Sequence, residues 1–301
     1  APASESPAGF GPFTAPLHAD HPLVGTAYAT VDGTTLSPAE LEAHVAAATY
    51  LLLGETHDHP DHHRLQGLML ETFIAAGPPP AVAYEMLDPS DQAEIDAFLA
   101  QTERDVDAFG ALVDWANSGW PEWSLYRPAF EAPVRAGVPI LAAQVPRTET
   151  KRYMSEGLGI LAPEVVSRYA LDQPLPTPLA DKLLDEMFAS HCEMVPREQL
   201  LPMVEIQRIR DARMAEALRS GAAAHGRAAL VAGTGHTRTH GVPNLLAGLL
   251  DEGETMLSIG FTSVDPELQD AAHYGGEHDI LVFTPEVERE DPCAAMRKQT
   301  N

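Results

Sequence analysis

Three short apolar runs constrain this chain most, because each ends on an ionisable residue. Tyr50–Leu53 runs into Gly54 and then Glu55 and His57, with His59, His62 and His63 close behind. Ala81–Tyr84 ends on Glu85, and Ala228–Ala232 leads through Gly233-Thr234-Gly235 to His236. Short runs that are apolar on both faces suit buried parallel strands. Ligands of open α/β sheets bind beyond the carboxyl ends of such strands. The runs therefore predict that Glu55, His57, Glu85 and His236 meet along one sheet edge. Gly54 reads as the end of the first strand. Beyond it Pro60 suits the first turn of a helix, with Leu65, Leu68, Met69, Thr72, Phe73 and Ala76 at helical spacing.

The rest of the chain fits the same plan. Val24–Val31, Asp32-Gly33 and Thr34–Leu36 predict a hairpin. Ser37, Pro38 and Glu40 form the signature of a capped helix start. Further strands are expected over Pro139–Ala143, Met256–Phe261 and Ile280–Phe283, and a helix carrying Ile95, Phe98 and Leu99 after Asp88-Pro89-Ser90. Leu200–Leu218 reads as a helix with Met203, Val204, Met214 and Leu218 on one face. Gln207 and Asp211 share that face and either line a site or brace one. Trp115, Trp120, Trp123 and Tyr126 crowd one segment, as a ligand wall or as a packed loop.

The expected fold is α/β, a central mostly parallel sheet flanked by helices. A small N-terminal hairpin and a helical insertion at about 146–205 are added to it. Residues 1–20 are expected to be a flexible leader, 21–285 a single domain, and 286–301 a polar tail. With 301 residues, 45% of them hydrophobic, a large core is available. The acidic residues number 44 against 19 lysines and arginines, a formal charge of -25 that disfavours nucleic acid and anionic membrane as partners. Cys192 and Cys293 allow one disulfide or two buried thiols.

Two imidazoles with one or two carboxylates make a candidate divalent-metal site, with Glu55, His57 and His236 as ligands. Glu55, Glu85 and His236 are also the candidate catalytic groups, since a carboxylate or imidazole can serve as a general base with or without metal. His62, His63 and Gln66 are further candidates from the next helix. The plainer reading of His59 and His62 is a helix cap or a solvated polar group.

Leu52-Leu53-Gly54-Glu55-Thr56-His57-Asp58-His59-Pro60-Asp61-His62-His63 resembles the opening motif of the ChaN-like haem-binding uptake family. Asp114–Trp123 with Tyr126 and Pro128 is similar to that family's tryptophan-rich segment. Ser190-His191-Cys192, the helix over Met203–Asp211, Ala232–His236 with Gly241-Val242-Pro243, and Asp291-Pro292-Cys293 match in order. The wider group includes Tiki-type metalloproteases and erythromycin esterases, which share the Gly-Glu-x-His and Gly-x-Gly-His turns. The resemblance implies an α/β fold, haem as cofactor or cargo, and a role in iron uptake. It also implies a periplasmic or secreted bacterial protein, a homodimer, and outer-membrane association through a processed N-terminus. It implies a disulfide between Cys192 and Cys293. His57, His63, Trp115, Trp120, Tyr126, His191, Gln207 and Asp211 become candidate haem-binding residues, Tyr126 or Tyr274 the candidate tyrosine ligand, and Arg147 and Arg210 candidate propionate partners. Gln144, where Asn is expected, and Thr239-His240 depart from the pattern, as does the absence of a lipobox cysteine at the start of the chain. The alternative is a metal-dependent hydrolase that uses the same cluster on esters or amides.

Overall fold

The computed structural model describes residues 9–291, 293 and 294. The described residues form two compact units. One comprises 9–144 and 214–287, the other 145–213 with 288–291, 293 and 294.

The first unit holds one mixed sheet, made of β1 (Ala27–Ala29), β2 (Thr34–Leu36), β3 (Tyr50–Glu55), β4 (Ala81–Tyr84), β5 (Ile140–Ala142), β6 (Ala228–Gly233), β7 (Met256–Ser263) and β8 (Ile280–Thr284). Their spatial order is β2-β1-β8-β7-β3-β6-β4-β5. β1 runs antiparallel to β2 and β8, and the other pairings are parallel. The α/β fold read from the sequence is the fold observed. β3, β6 and β4 are adjacent interior strands and are buried along their whole length, because their uninterrupted apolar residues are covered on both faces. β3 does not stop at Gly54: it pairs on through Glu55, which lies opposite Gly233. The strand continues because Gly54 keeps its ladder partners and has no side chain to collide with the layer above.

The helices of this unit are α1 (Pro38–Ala47), α2 (Pro60–Ala75), α3 (Gln92–Leu99), α4 (Val106–Leu112) and α5 (Trp123–Ala136). Ser37 caps α1 in a full capping box with Glu40. The core between these helices and the sheet includes Leu51, Leu53, Phe73, Tyr84, Phe109, Trp115, Tyr126 and Phe130.

The leader expected over 1–20 is different from residue 9 on. Phe10 and Ala15 are buried. The amides of Thr14 and Ala15 donate to the buried Asp61 carboxylate at 2.9 and 2.8 Å. Leu17 bridges Glu286. Pro- and Ala-rich composition hid a segment that is held by a carboxylate in the first turn of α2. Residues 1–8 lie outside the described residues.

The second unit is helical: α6 (Arg147–Glu156), α7 (Pro163–Arg168), α8 (Thr177–Ser190) and the first part of α9 (Arg197–His225), whose later residues, from Met214, belong to the first unit. Within it Cys192 and Cys293 are joined by a disulfide, as the resemblance implied. Val204, Met214 and Leu218 are buried on α9, whereas Met203, expected beside them, is exposed. The short α10 (Thr234–Thr237) and α11 (Val242–Leu246) follow β6 in the first unit. Among the described residues no helix is long and apolar enough to cross a membrane.

Candidate functional site

Parallel register does the assembling. Glu55 is the last residue of β3 and lies opposite Gly233 at the end of β6. Glu85 follows β4 directly, and its amide donates to the Val231 carbonyl at 3.1 Å. The carboxyl ends of three neighbouring strands thus lie level, and the groups that follow them meet.

They meet as two ion pairs. His57 Nδ1 lies 2.6 Å from Glu55 Oε1. His236 Nε2 lies 3.2 Å from Glu85 Oε1, and the Gly233 amide donates to Glu85 Oε2 at 2.8 Å. Glu55, Glu85 and His236 are buried, while the His57 side chain keeps 41% of its surface exposed. The Tyr126 hydroxyl lies 3.4 Å from Glu55 Oε1, to which it donates, and 3.2 Å from His57 Nδ1. Glu55 Oε2 is buried without a hydrogen-bond partner. The His57 ring lies over Gly233, where an added Cβ would fall 2.8 Å from Cε1 and 3.0 Å from Nε2.

Charge follows from this geometry. Burial alone would lower the His57 pKa, but the Glu55 hydrogen bond and charge, with the Glu85 charge, outweigh it and raise it. Burial would raise Glu85, yet His236, His57 and the Gly233 amide hold it down at about 2. Burial, with the Glu55 and Glu85 charges, pushes the Tyr126 phenol well above its ordinary value.

The candidate residues divide by position. His57 and Trp120 reach the open side, with ring centroids 4.9 Å apart in an edge contact. Trp120 is half-buried. Trp115 and Tyr126 are buried beneath, and Trp115 Nε1 donates to the Pro121 carbonyl at 2.8 Å. The aromatic segment is therefore largely core, with Trp120 at its rim. His63 is also fully buried. Its Nε2 meets the His57 carbonyl oxygen and its Nδ1 meets Gln66 Oε1, both at 3.1 Å. Gln66 in turn donates to the Leu53 carbonyl at 3.0 Å. His63 and Gln66 thus brace the turn from inside. Tyr126, already hydrogen-bonded to two site residues and resistant to ionisation, is a poor phenolate ligand. Tyr274 packs on Phe283, and its phenol accepts the Asp265 amide at 2.6 Å.

His191, Gln207, Asp211, Arg147 and Arg210 belong to the helical unit. There His191 Nδ1 donates to the Met187 carbonyl at 2.8 Å, closing the end of α8 beside the disulfide. Asp211 is buried, Gln207 and Arg210 half-buried, and Arg147 exposed.

Glu55, His57 and His236 do not converge as a metal triad: among the described residues they present no three donor atoms within 4.8 Å of one another. Each histidine is engaged instead by its own carboxylate. His59 and His62 are neither caps nor solvated. Both are fully buried and stacked, with centroids 3.8 Å apart. His59 makes no side-chain cap bond, and its Nε2 donates to the Pro285 carbonyl at 2.9 Å. His62 Nδ1 accepts the Thr56 amide at 3.0 Å, and its Nε2 donates to Thr284 at 3.1 Å.

Sequence reasoning missed His278. This buried ring lies over Gly54 and Gly260, with Nε2 3.1 Å from Thr237 Oγ1. Ser258 Oγ donates to the Thr237 carbonyl at 2.5 Å. Together they pin α10, the turn that carries His236. Nothing in the loop around His278 signals this, because its partners come from three other segments.

His278 also makes stability depend on pH. Burial first, then Arg238 and His240, against the opposing Glu277, lower it from 6.5 to about 4. Above 6.5 it is neutral in both folded and unfolded chains, and its contribution is complete. As pH falls, the unfolded chain takes up a proton that the folded chain refuses until about 4. Stability is expected to fall over that window by about 3 kcal/mol. Denaturant unfolding across the range should show this slope, flattened in His278→Asn.

An α/β sheet whose strand ends carry paired carboxylates and imidazoles defines the class of protein to which this chain is assigned. Residues 41–246 match the family described as haem-binding uptake, Tiki superfamily, ChaN. The match spans well over half of the sequence, and the chain belongs to that family. Among solved structures, "Cofacial heme binding to ChaN of Campylobacter jejuni" aligns at 22% identity with a TM-score of 0.64, covering 85% of this chain and 95% of that one. An erythromycin esterase in its open conformation aligns at 13% identity and a TM-score of 0.41, covering 91% and 86%. No curated protein matches.

Proposed function

We propose that this chain binds haem at the strand-end cluster and serves iron uptake in the periplasm or outside the cell. The observation that carries the reading is His57. Its Nδ1 is held by Glu55, so Nε2 is the nitrogen left to face a ligand. A side chain at Gly233 would crowd that nitrogen, and Trp120 lies at its edge. A nitrogen donor beside an aromatic rim is the kind of group that holds a haem iron and the porphyrin around it. Family membership supports the same cargo. The disulfide supports an oxidising compartment. Pairing of two copies and association with the outer membrane belong to the same reading.

Hemin titration tests it. A Soret shift saturating near one hemin per chain is expected, and no Soret change at stoichiometric hemin would refute it. His57→Ala is expected to weaken binding about a hundredfold, since even supporting residues of metal sites contribute factors of ~10–100. Sedimentation with and without hemin tests the pairing.

A second reading, hydrolysis, rests on the Glu85–His236 pair, which iron ligation by His57 leaves unused. His236, oriented by Glu85, would take a proton from an attacking water. An ester and amide panel, with and without added Zn, Mn or Co, tests it. Turnover that persists in His236→Ala would end this reading.

A further inference from the structure

We propose that His62 is a positioning residue for the strand-end cluster, and that it releases the Glu55–His57 turn in acid. The inference does not depend on which ligand the cluster takes. It stands on the hydrogen bonds of one buried ring.

Thr56 is the residue between Glu55 and His57, whose side chains lie 2.6 Å apart. Its amide donates to His62 Nδ1 at 3.0 Å. His62 lies in the first turn of α2 and is fully buried. A ring nitrogen that accepts a hydrogen bond carries no proton. The proton of the neutral ring is therefore on Nε2, which donates to Thr284 Oγ1 at 3.1 Å, at the end of β8. One imidazole thus ties the turn to α2 and to β8. A second proton has only Nδ1 to occupy. There it would point at the Thr56 N–H, donor against donor, and the bond that holds the turn would be lost. His59, stacked on His62, is not constrained in this way. Its Nε2 donates to the Pro285 carbonyl at 2.9 Å, a bond that a protonated ring would keep.

The other titratable groups around this ring come from each neighbouring segment. On α2, Asp61 accepts the Thr14 and Ala15 amides, and His63 meets the His57 carbonyl and Gln66. Asp58, on the turn, is exposed. Glu286, after Pro285, lies 3.9 Å from His18 Nε2. β7 contributes the uncharged Phe261, with ring centroids 6.0 Å apart. Acid therefore reaches Thr56 through His62. A released imidazole takes up a proton below its ordinary value of about 6.5, and the seated ring has no place for that proton. Each pH unit below that value favours the released turn about tenfold.

Amide hydrogen exchange in the protein without added ligand reads the turn directly. After correction for the intrinsic exchange rate, Thr56 protection should be constant above about pH 7 and fall about tenfold per pH unit below about 6.5. It should stay below that of Leu230, a ladder residue of β6, because the turn opens without the sheet. His62→Gln offers an oxygen to Thr56 and an N–H to Thr284 but does not titrate, so its Thr56 protection should hold at pH 7 and stay flat down to about pH 5. At pH 7, nitrogen NMR should show the wild-type His62 protonated at Nε2 alone. A merely structural role would lower Thr56 protection in the variant without removing its pH dependence.

A flat profile in wild type, the wild-type slope in His62→Gln, or protection at Thr56 equal to that at Leu230 overturns the proposal. So does a proton on His62 Nδ1 at pH 7. Should His62→Gln not fold, the wild-type profile, the comparison with Leu230 and the tautomer decide it.

Discussion

Gly54→Ala is expected to cost about 3–5 kcal/mol of stability, at the upper end of what overpacking does. A Cβ there would fall 2.0 Å from Thr237 Oγ1, and 3.2 Å from both His278 Nε2 and the Thr234 Cα. Thr237 cannot retreat freely. Its hydroxyl is bonded to His278 and its carbonyl to Ser258, both from other segments. Gly54 is itself fixed by ladders on both sides, to β6 and β7. Denaturant unfolding measures the loss. Thr237→Ala in the same chain removes the worst contact, so the double variant should be more stable than the sum of the two single changes predicts. Simple additivity would mean that the collision is not at Thr237.

Loss of the disulfide is the second large effect. Cys192 and Cys293 are separated by 101 residues in sequence. Closing a loop of that length is worth about 4–5 kcal/mol in the chain-entropy account, and somewhat less is usually realised. Removal by the paired change Cys192→Ser and Cys293→Ser is expected to cost about 3–4 kcal/mol. Circular dichroism melts of the two forms measure it, and addition of reductant should bring wild type toward the variant. A variant as stable as wild type would show that the cross-link constrains little of the unfolded chain. The small helical unit that holds both cysteines has fewer buried apolar residues than the sheet unit, so the cross-link matters more there.

The central strands were legible because their apolar runs are continuous and bounded by Gly, Pro or charge. The hairpin, the capping box at Ser37 and the helix after Pro60 were legible because they are local signals, complete within a few residues. The meeting of Glu55, His57, Glu85 and His236 was legible for a different reason: parallel strands place their carboxyl ends on one edge, whatever lies between them in sequence.

What stayed hidden was decided by contacts between distant segments. A histidine carries the same letter whether it faces water, as a half-exposed His57 does, or is sealed between helix and sheet like His59, His62 and His278. Trp115 and Trp120 stand five positions apart in one motif, yet one is core and the other rim. The choice between a metal triad and two separate ion pairs was likewise tertiary, since it depends on where each donor atom points. Residue type and order were enough for the sheet, its direction and the edge where the chemistry gathers, because backbone pairing and apolar burial are set by pattern. Which carboxylate holds which histidine depends on side-chain packing from several strands at once, and only the folded chain decides that.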